Sequence, residues 1–213
     1  MGPIFRNYDP VAWIYPTLER AAFGRTLDAA RNAFFDSVVC RNRLLLIGEG
    51  NGRFFANCLK HKRGGSITVV DLSGNMLSLL RSRVRRIEPQ TAVELVQADF
   101  RHWPALGQSF DAIVTHFFLD LFLPGSQRTV IEKIGALSQP ETIWVNVDFR
   151  PTLRLPINRW IDWLQYRFDS LICGVEADRH YDPAQLILGA GWTSRQQEVF
   201  CDGSVVAELF AKH

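Results

Sequence analysis

The chain has no apolar run approaching the ~18 residues that a membrane crossing requires. Its N-terminus, MGPIFRNYDP, lacks an apolar stretch after a basic start, so a secretory leader is not expected. Cysteines are few: Cys40, Cys58, Cys173 and Cys201. None are spaced as CxxC, which argues against a zinc knuckle or a thioredoxin-like pair. Scattered thiols and the lack of any Asn-x-Ser/Thr acceptor fit a reducing compartment, and a cytoplasmic location is expected. Neither sign of charge is in excess: 24 Lys and Arg stand against 22 Asp and Glu, a net of +2. That balance does not point to nucleic acid. There is no internal repeat and no low-complexity tract. What is present is an ordinary globular composition, 47% hydrophobic and 22% charged over 213 residues. It suffices for one domain with one sizeable core.

The pattern of the chain is alternating. Leu27, Ala30, Phe34 and Val38 recur at helical spacing and predict a helix over 25–38. Residues 43–47 form a short continuous apolar run, as a strand buried on both faces reads. A helix over 53–61, a strand over 66–70 and a helix over 73–86 follow. In that last helix Met76, Leu77, Leu80 and Val84 turn inward; Arg81, Arg83, Arg85 and Arg86 mostly turn outward. Strands are predicted over 91–97, 110–115 and 142–148, and helices over 125–137, 157–173 and 182–190. Strands over 193–200 and 205–211 are joined by Asp202-Gly203, a hairpin signal. Repeated strand–helix alternation predicts an α/β fold: a Rossmann-like, seven-stranded, mostly parallel sheet with helices on both faces and a C-terminal antiparallel hairpin. Ligands in such sheets sit beyond the carboxyl ends of the strands, where strand order reverses.

The first strand ends in Gly48-Glu49-Gly50-Asn51-Gly52-Arg53. Glycines at alternate positions allow a sharp turn and close approach to a ligand. Arg53 stands where a dinucleotide fingerprint needs its third glycine, and no Gly-Lys-Ser/Thr follows, so the P-loop is excluded. Asp71 ends the second strand about 20 residues further on, where an acid can accept from both hydroxyls of a ribose. The plainer alternative is a helix cap, a role that Ser73 can also fill. Asp99, at the end of the third strand, can accept the exocyclic amine of an adenine while Phe100 lies against the ring; read alone, it could equally be a solvated loop acid.

Five pieces in order carry a resemblance: Leu-Leu-Leu-Ile-Gly-Glu-Gly-Asn-Gly-Arg53, Val-Val-Asp-Leu-Ser73 with Met76-Leu77, Gln-Ala-Asp-Phe100, Phe-Asp-Ala-Ile-Val114 and Ala-Gly-Trp192. Together, over about 40–212, the sequence resembles the class I S-adenosylmethionine-dependent methyltransferases of small-molecule type. The resemblance implies S-adenosyl-L-methionine as cofactor and one domain over 1–213. Residues 1–40 would be a helical N-terminal lid, 41–150 the cofactor-binding core, 151–191 acceptor-side helices and 192–213 the closing hairpin. Gly48, Gly50 and Gly52 would line the methionine part and Asp71 would hold the ribose. Leu72 and Met76 would lie near the adenine, and Asp99 and Phe100 would recognise it. Thr115 and His116 would lie beneath the sulfonium, and Tyr8 and Tyr15 would belong to the lid. The family usually has an acid two residues before the first loop glycine. Here that residue is Leu46, and Glu49 inside the loop is expected to take over the contact to the methionine ammonium.

Methyl transfer from a sulfonium needs alignment and exclusion of water more than it needs a metal. An oxygen or nitrogen acceptor needs a base for its proton. The candidates are His116, Asp148 and Tyr15, with Asp120 and His180 behind them; each also has a bland reading as a packing, pairing or surface residue. Residues 151–168 are rich in Trp, Tyr, Phe and Leu, with Arg150, Arg154 and Arg159 nearby. That mixture suits a small apolar or aromatic acceptor bearing a polar or anionic group. The Asn/Asp-Pro-Pro-aromatic motif of base-methylating enzymes is absent, the chain reading Thr115-His-Phe-Phe118. Two rivals stay open: transfer or rearrangement of another part of the cofactor, and a non-catalytic cofactor-binding protein.

Overall fold

A computed structural model describes residues 25–87, 89–105, 107–150 and 181–212. Tyr8, Tyr15, Arg154, Arg159, His180 and the aromatics of 151–168 lie outside the described residues. Seven strands form one sheet in the order β3-β2-β1-β4-β5-β7-β6. They are β1 Arg43–Ile47, β2 Ser66–Asp71, β3 Ala92–Gln97, β4 Phe110–His116, β5 Ser138–Phe149, β6 Trp192–Phe200 and β7 Val205–Lys212. β1 pairs parallel with both β2 and β4, so the order reverses at β1 and leaves a crevice at its C-terminal end. β7 is the antiparallel strand, lodged between β5 and β6. The predicted architecture is therefore the observed one.

The helices are α1 Thr26–Asn32, α2 Phe35–Val39, α3 Arg53–His61, α4 Gly74–Ile87, α5 Pro124–Ala136 and α6 Ala184–Gly189. The run 43–47 is apolar throughout because both faces of β1 are covered. Leu44 and Leu46 join one core with α1, α3 and α4, including Leu27, Phe54 and Leu77. Leu45 and Ile47 join a second core with α5 and α6, including Ile131, Trp144 and Ile187. Among the described residues no helix is long and apolar enough to cross a membrane.

The structure differs from the sequence expectations in four local places. The helix expected over 25–38 is two short helices, because residues 33–34 form a turn between them. Its apolar face survives: Leu27, Ala30, Phe34 and Val38 all stay buried. β5 begins four residues earlier than expected, at Ser138, across a register shift near Glu141, whose φ is +66°. The hairpin turn is wider than Asp202-Gly203, since Cys201 also takes positive φ and Ser204 N–H closes onto the Cys201 carbonyl. Arg83 does not point outward; it turns against the glycine loop.

One ion-pair fork spans the gap around 151–180. Arg150, just past β5, pairs with Asp182 before α6 and with Glu208 on β7. Glu208 is 5% exposed, and burial raises its carboxyl above the usual range while Arg150 opposes that rise. Removing the guanidinium strands a buried carboxylate. Arg150→Met is expected to cost about 3–5 kcal/mol at neutral pH. The cost shrinks as pH falls and Glu208 takes up a proton, and Arg150→Met/Glu208→Gln recovers most of it. Urea denaturation at neutral and acid pH checks this.

Candidate active site

β1 runs into a loop, 48–52, that carries the crevice. Gly48, Gly50 and Gly52 all have positive φ, +64°, +58° and +71°. A Cβ on Gly48 would meet the Phe118 ring at 2.5 Å, and one on Gly52 would meet Leu80 at 2.0 Å. Among the described residues, a Cβ on Gly50 would meet nothing within 4 Å. The loop is thus closed against the protein at both ends and open over its middle. Arg83 donates from Nη2 to the Asn51 carbonyl at 2.9 Å, and Arg53 N–H donates to Asn51 Oδ1 at 3.2 Å.

Asp71, at the end of β2, is buried beside this loop. Gly50 N–H donates to its Oδ2 at 3.2 Å and Ser73 N–H to its Oδ1 at 2.8 Å. Ser73 Oγ accepts from Met76 N–H at 3.1 Å, so Ser73 caps α4 as anticipated. Met76 is buried beneath, and Leu72 is partly exposed.

Glu49 accepts at Oε1 from Phe55 N–H, in the first turn of α3, at 2.8 Å. Desolvation raises its carboxyl to about 7; the Phe55 amide, Arg31 and Arg83 pull it down, and Asp71 pushes it up.

Asp99 lies just beyond Gln97, which is the register partner of Asp71. Its carboxylate is gripped by Arg101, from the main-chain N–H at 2.9 Å and from Nη2 at 2.7 Å. That grip holds Asp99 below the usual carboxylate range despite burial. Phe100 is buried, with Trp103, Phe118 and Lys133 around its ring. The expected adenine residues therefore stand at the right strand end, already engaged by protein groups.

At the end of β4, Thr115 and His116 face opposite sides of the sheet. Thr115 is wholly buried; its hydroxyl donates to Asn146 Oδ1 and accepts from Trp144 Nε1, each at 2.8 Å. His116 is buried on the α1 and α3 side, edge-on to Phe54 at 4.8 Å. Among the described residues neither ring nitrogen has a hydrogen-bond partner. Burial and Arg31 hold the imidazole well below its usual pKa, so it is neutral.

Asp148, at the end of β5, is 0% exposed. Phe118 N–H donates to its Oδ1 at 3.0 Å, and the Asp120 amide donates to it too. Burial and the neighbouring Asp120 carboxyl raise it well above the usual range. The structure thus sets Asp148 and Asp120 together beneath the turn after β4 and His116 on the other face. Arg150 turns away from Asp148 to Glu208 and Asp182. Among the described residues no group of three or more His, Cys, Asp or Glu is placed to hold a metal.

A sequence model for a methyltransferase domain matches residues 44–141, from β1 to the start of β5. The matched stretch, just under half of the chain, is similar to a methyltransferase domain. Solved structures agree in fold. The N-methyltransferase NodS of Bradyrhizobium japonicum WM9, in complex with S-adenosyl-L-homocysteine, is 18% identical. That match covers 87% of this chain and 83% of NodS, at a TM-score of 0.61. The 1,6-didemethyltoxoflavin-N1-methyltransferase of Burkholderia thailandensis is 17% identical over 96% of this chain and 85% of its own, at 0.69. A putative O-methyltransferase of Nostoc punctiforme is 15% identical over 96% and 60%, at 0.71. A search of curated proteins finds no match. Around this crevice the sequence does not announce Arg31, Arg83 or Phe118. Arg83 was hidden among the arginines of α4; its place on the inward Leu80 side was the available signal.

The Glu49 carboxyl titrates near 7 in the folded protein against 4.5 in a free side chain. Its folded value is the higher, so folding favours the protonated acid. Stability of the ligand-free protein should therefore fall as pH rises from about 4.5 to about 7. Glu49→Gln removes that slope. Thermal melts of both proteins over this range check it.

Proposed function

We propose that this protein is a methyltransferase that moves a methyl group from S-adenosylmethionine to a small-molecule acceptor by direct displacement. The observation that carries the reading is the loop open over Gly50, with Glu49 on one side and Asp71 on the other. When bound, the cofactor supplies a methyl group on a sulfonium, whose departure leaves a neutral thioether. Gly48, Gly50 and Gly52 line the methionine part, and Glu49 accepts from its ammonium in place of the acid missing at Leu46. Asp71 holds the ribose from the end of β2, beside the loop whose Gly50 amide donates to it. Leu72 and Met76 lie under the adenine, whose amine turns to Asp99 beside Phe100. Thr115 contributes backbone rather than its engaged hydroxyl, and His116 faces the acceptor. Asp148, enclosed and tied to the turn after β4, positions that turn. Tyr8 and Tyr15 close the site.

The chain's task is then to align acceptor and methyl group and to keep water out, a contribution of about 7–11 kcal/mol for well-oriented reactants. An enzyme of the same fold solved with 1,6-didemethyltoxoflavin bound supports an acceptor of modest size. The aromatics and arginines after β5 in the sequence support one with an apolar or aromatic body and a polar group. The free thiols Cys40, Cys58 and Cys201 support action in the cytoplasm.

Calorimetry with S-adenosylhomocysteine tests the cofactor half. Binding is expected, and Asp71→Ala should weaken it about tenfold or more, the loss of one charged hydrogen bond. Affinity should fall as pH drops below about 7, where Glu49 must first lose its proton. Glu49→Gln should flatten that fall. No binding at millimolar ligand defeats the proposal.

A further inference from the structure

The end of β4 carries a group that the cofactor reading leaves unused. His116 is buried with neither ring nitrogen hydrogen-bonded. Buried polar groups are nearly always partnered, so an imidazole without a bond among the described residues has room in its bonding for a ligand group. The next residue is strained. Phe117 has φ +53°, in the left-handed region that bulky side chains rarely enter. Its backbone is pinned there by its N–H, which donates to the Val147 carbonyl at 2.6 Å. The pinned backbone sets the ring between two neighbours, Phe149 at 5.0 Å and the Arg31 guanidinium at 4.8 Å. Unlike His116, Phe117 remains partly exposed. Strain of this kind persists where the surroundings over-determine it, as they do at ligand sites.

Five groups meet at the C-terminal ends of β4 and β5. α1 supplies Arg31, α3 supplies Phe54, and the strand ends supply His116, Phe117 and Phe149. Arg31 is the charged group acting on His116. It also acts on Glu49, so its positive field covers both the loop and the imidazole.

We propose that His116 and Arg31, over the Phe117 and Phe149 rings, form the acceptor subsite for an acidic hydroxyl on a planar ring, a phenol or enol, with His116 as the base that takes its proton. The proposal rests on the cofactor reading above. The rings favour a flat apolar body. A cationic amine is repelled by Arg31, and a carboxylate is already ionised and leaves a neutral imidazole without a task. A hydroxyl needs both partners: the imidazole for its proton and the guanidinium for the charge that then develops on oxygen. The step balances. The O–H proton passes to a ring nitrogen of His116, oxygen bonds to the methyl carbon, the carbon–sulfur bond breaks, and its electron pair stays on sulfur.

The test uses the full chain with 4-nitrophenol, 4-methylphenol, benzylamine and benzoate. Binding is read first, without turnover: with S-adenosylhomocysteine present, 4-nitrophenol should bind as its yellow phenolate below its free pKa, and Arg31→Gln should abolish that band. Methyl-labelled S-adenosylmethionine then reports transfer, expected to the two phenols and to neither other probe. His116→Asn and His116→Ala should slow transfer to 4-methylphenol about 100-fold or more, the worth of a general base. They should cost far less with 4-nitrophenol, which ionises unaided. Equal losses for the two phenols would overturn the proposal, as would transfer to benzylamine or benzoate. So would a protein that binds S-adenosylhomocysteine but no phenol. Failure of S-adenosylhomocysteine to bind is a distinct result: it brings down the cofactor reading first and this subsite with it. Unchanged affinity of the His116 variants for S-adenosylhomocysteine marks them as folded.

Discussion

The rest of the site hangs on one carboxylate. Asp71 accepts from the Gly50 amide with one oxygen and from the Ser73 amide with the other. The first bond fixes the loop after β1, and the second fixes the turn that starts α4. Both amides belong to segments without regular pairing of their own, so losing the carboxylate would strand donors on both sides. Positive φ at Gly48, Gly50 and Gly52 is affordable because glycine has no Cβ, but conformational freedom does not choose a conformation. Asp71 makes that choice, and Arg83 reinforces it from α4 through the Asn51 carbonyl.

A second brace works at the far side of the crevice. Asp148 is enclosed, yet it is charged only at a cost, because Asp120 lies beside it and burial disfavours ionisation. What it gains is a pair of amide donors from the turn that follows β4. That turn carries Phe117 and Phe118, one strained over Arg31 and the other packed under Gly48. The two braces therefore act on the two walls of one cleft. Both strand-end acids, Asp71 and Asp148, accept from backbone amides of the loops they brace.

Much of this was legible in the chain. Continuous apolar strands against amphipathic helices dictated a sheet covered on both faces, and the hairpin dictated its antiparallel strand. Alternation also placed the strand ends, and with them Asp71, Asp99, His116 and Asp148. Side-chain direction was less legible. Thr115 and His116 are neighbours in sequence, but a strand sends them to opposite faces, and only the packing of α1 and α3 makes the His116 face the one beside Arg31. Arg101 next to Asp99 was visible, but its grip on that carboxylate depends on a turn that composition does not specify. Arg31 carried no signal at all, since its role comes from where α1 docks rather than from its own spacing. The break between α1 and α2 escaped notice for the same reason that their apolar face did not: both short helices bury one continuous stripe.

An acid at position 49 and a leucine at position 46 have a structural cause and a consequence. Position 46 faces the core with α1, α3 and α4, where Leu46 is wholly buried. Glu49 lies past the end of the strand, where a carboxylate can meet the N-terminus of α3. That helix has Gly52 as its N-cap, a residue with no side chain to offer. Glu49 fills the vacancy by accepting from Phe55 N–H, so the loop acid caps its own helix. The cap and the positive field of Arg31 and Arg83 favour the anion; desolvation wins by enough to leave the group balanced near neutral pH. A carboxyl balanced in this way is sensitive to any further charge. An ammonium arriving over the open face of Gly50 would tip it to the anion without moving the backbone, whereas an acid on β1 would have had to ionise inside the core. Placing the acid in the loop thus keeps the core apolar and leaves the site's charge to be completed by the ligand.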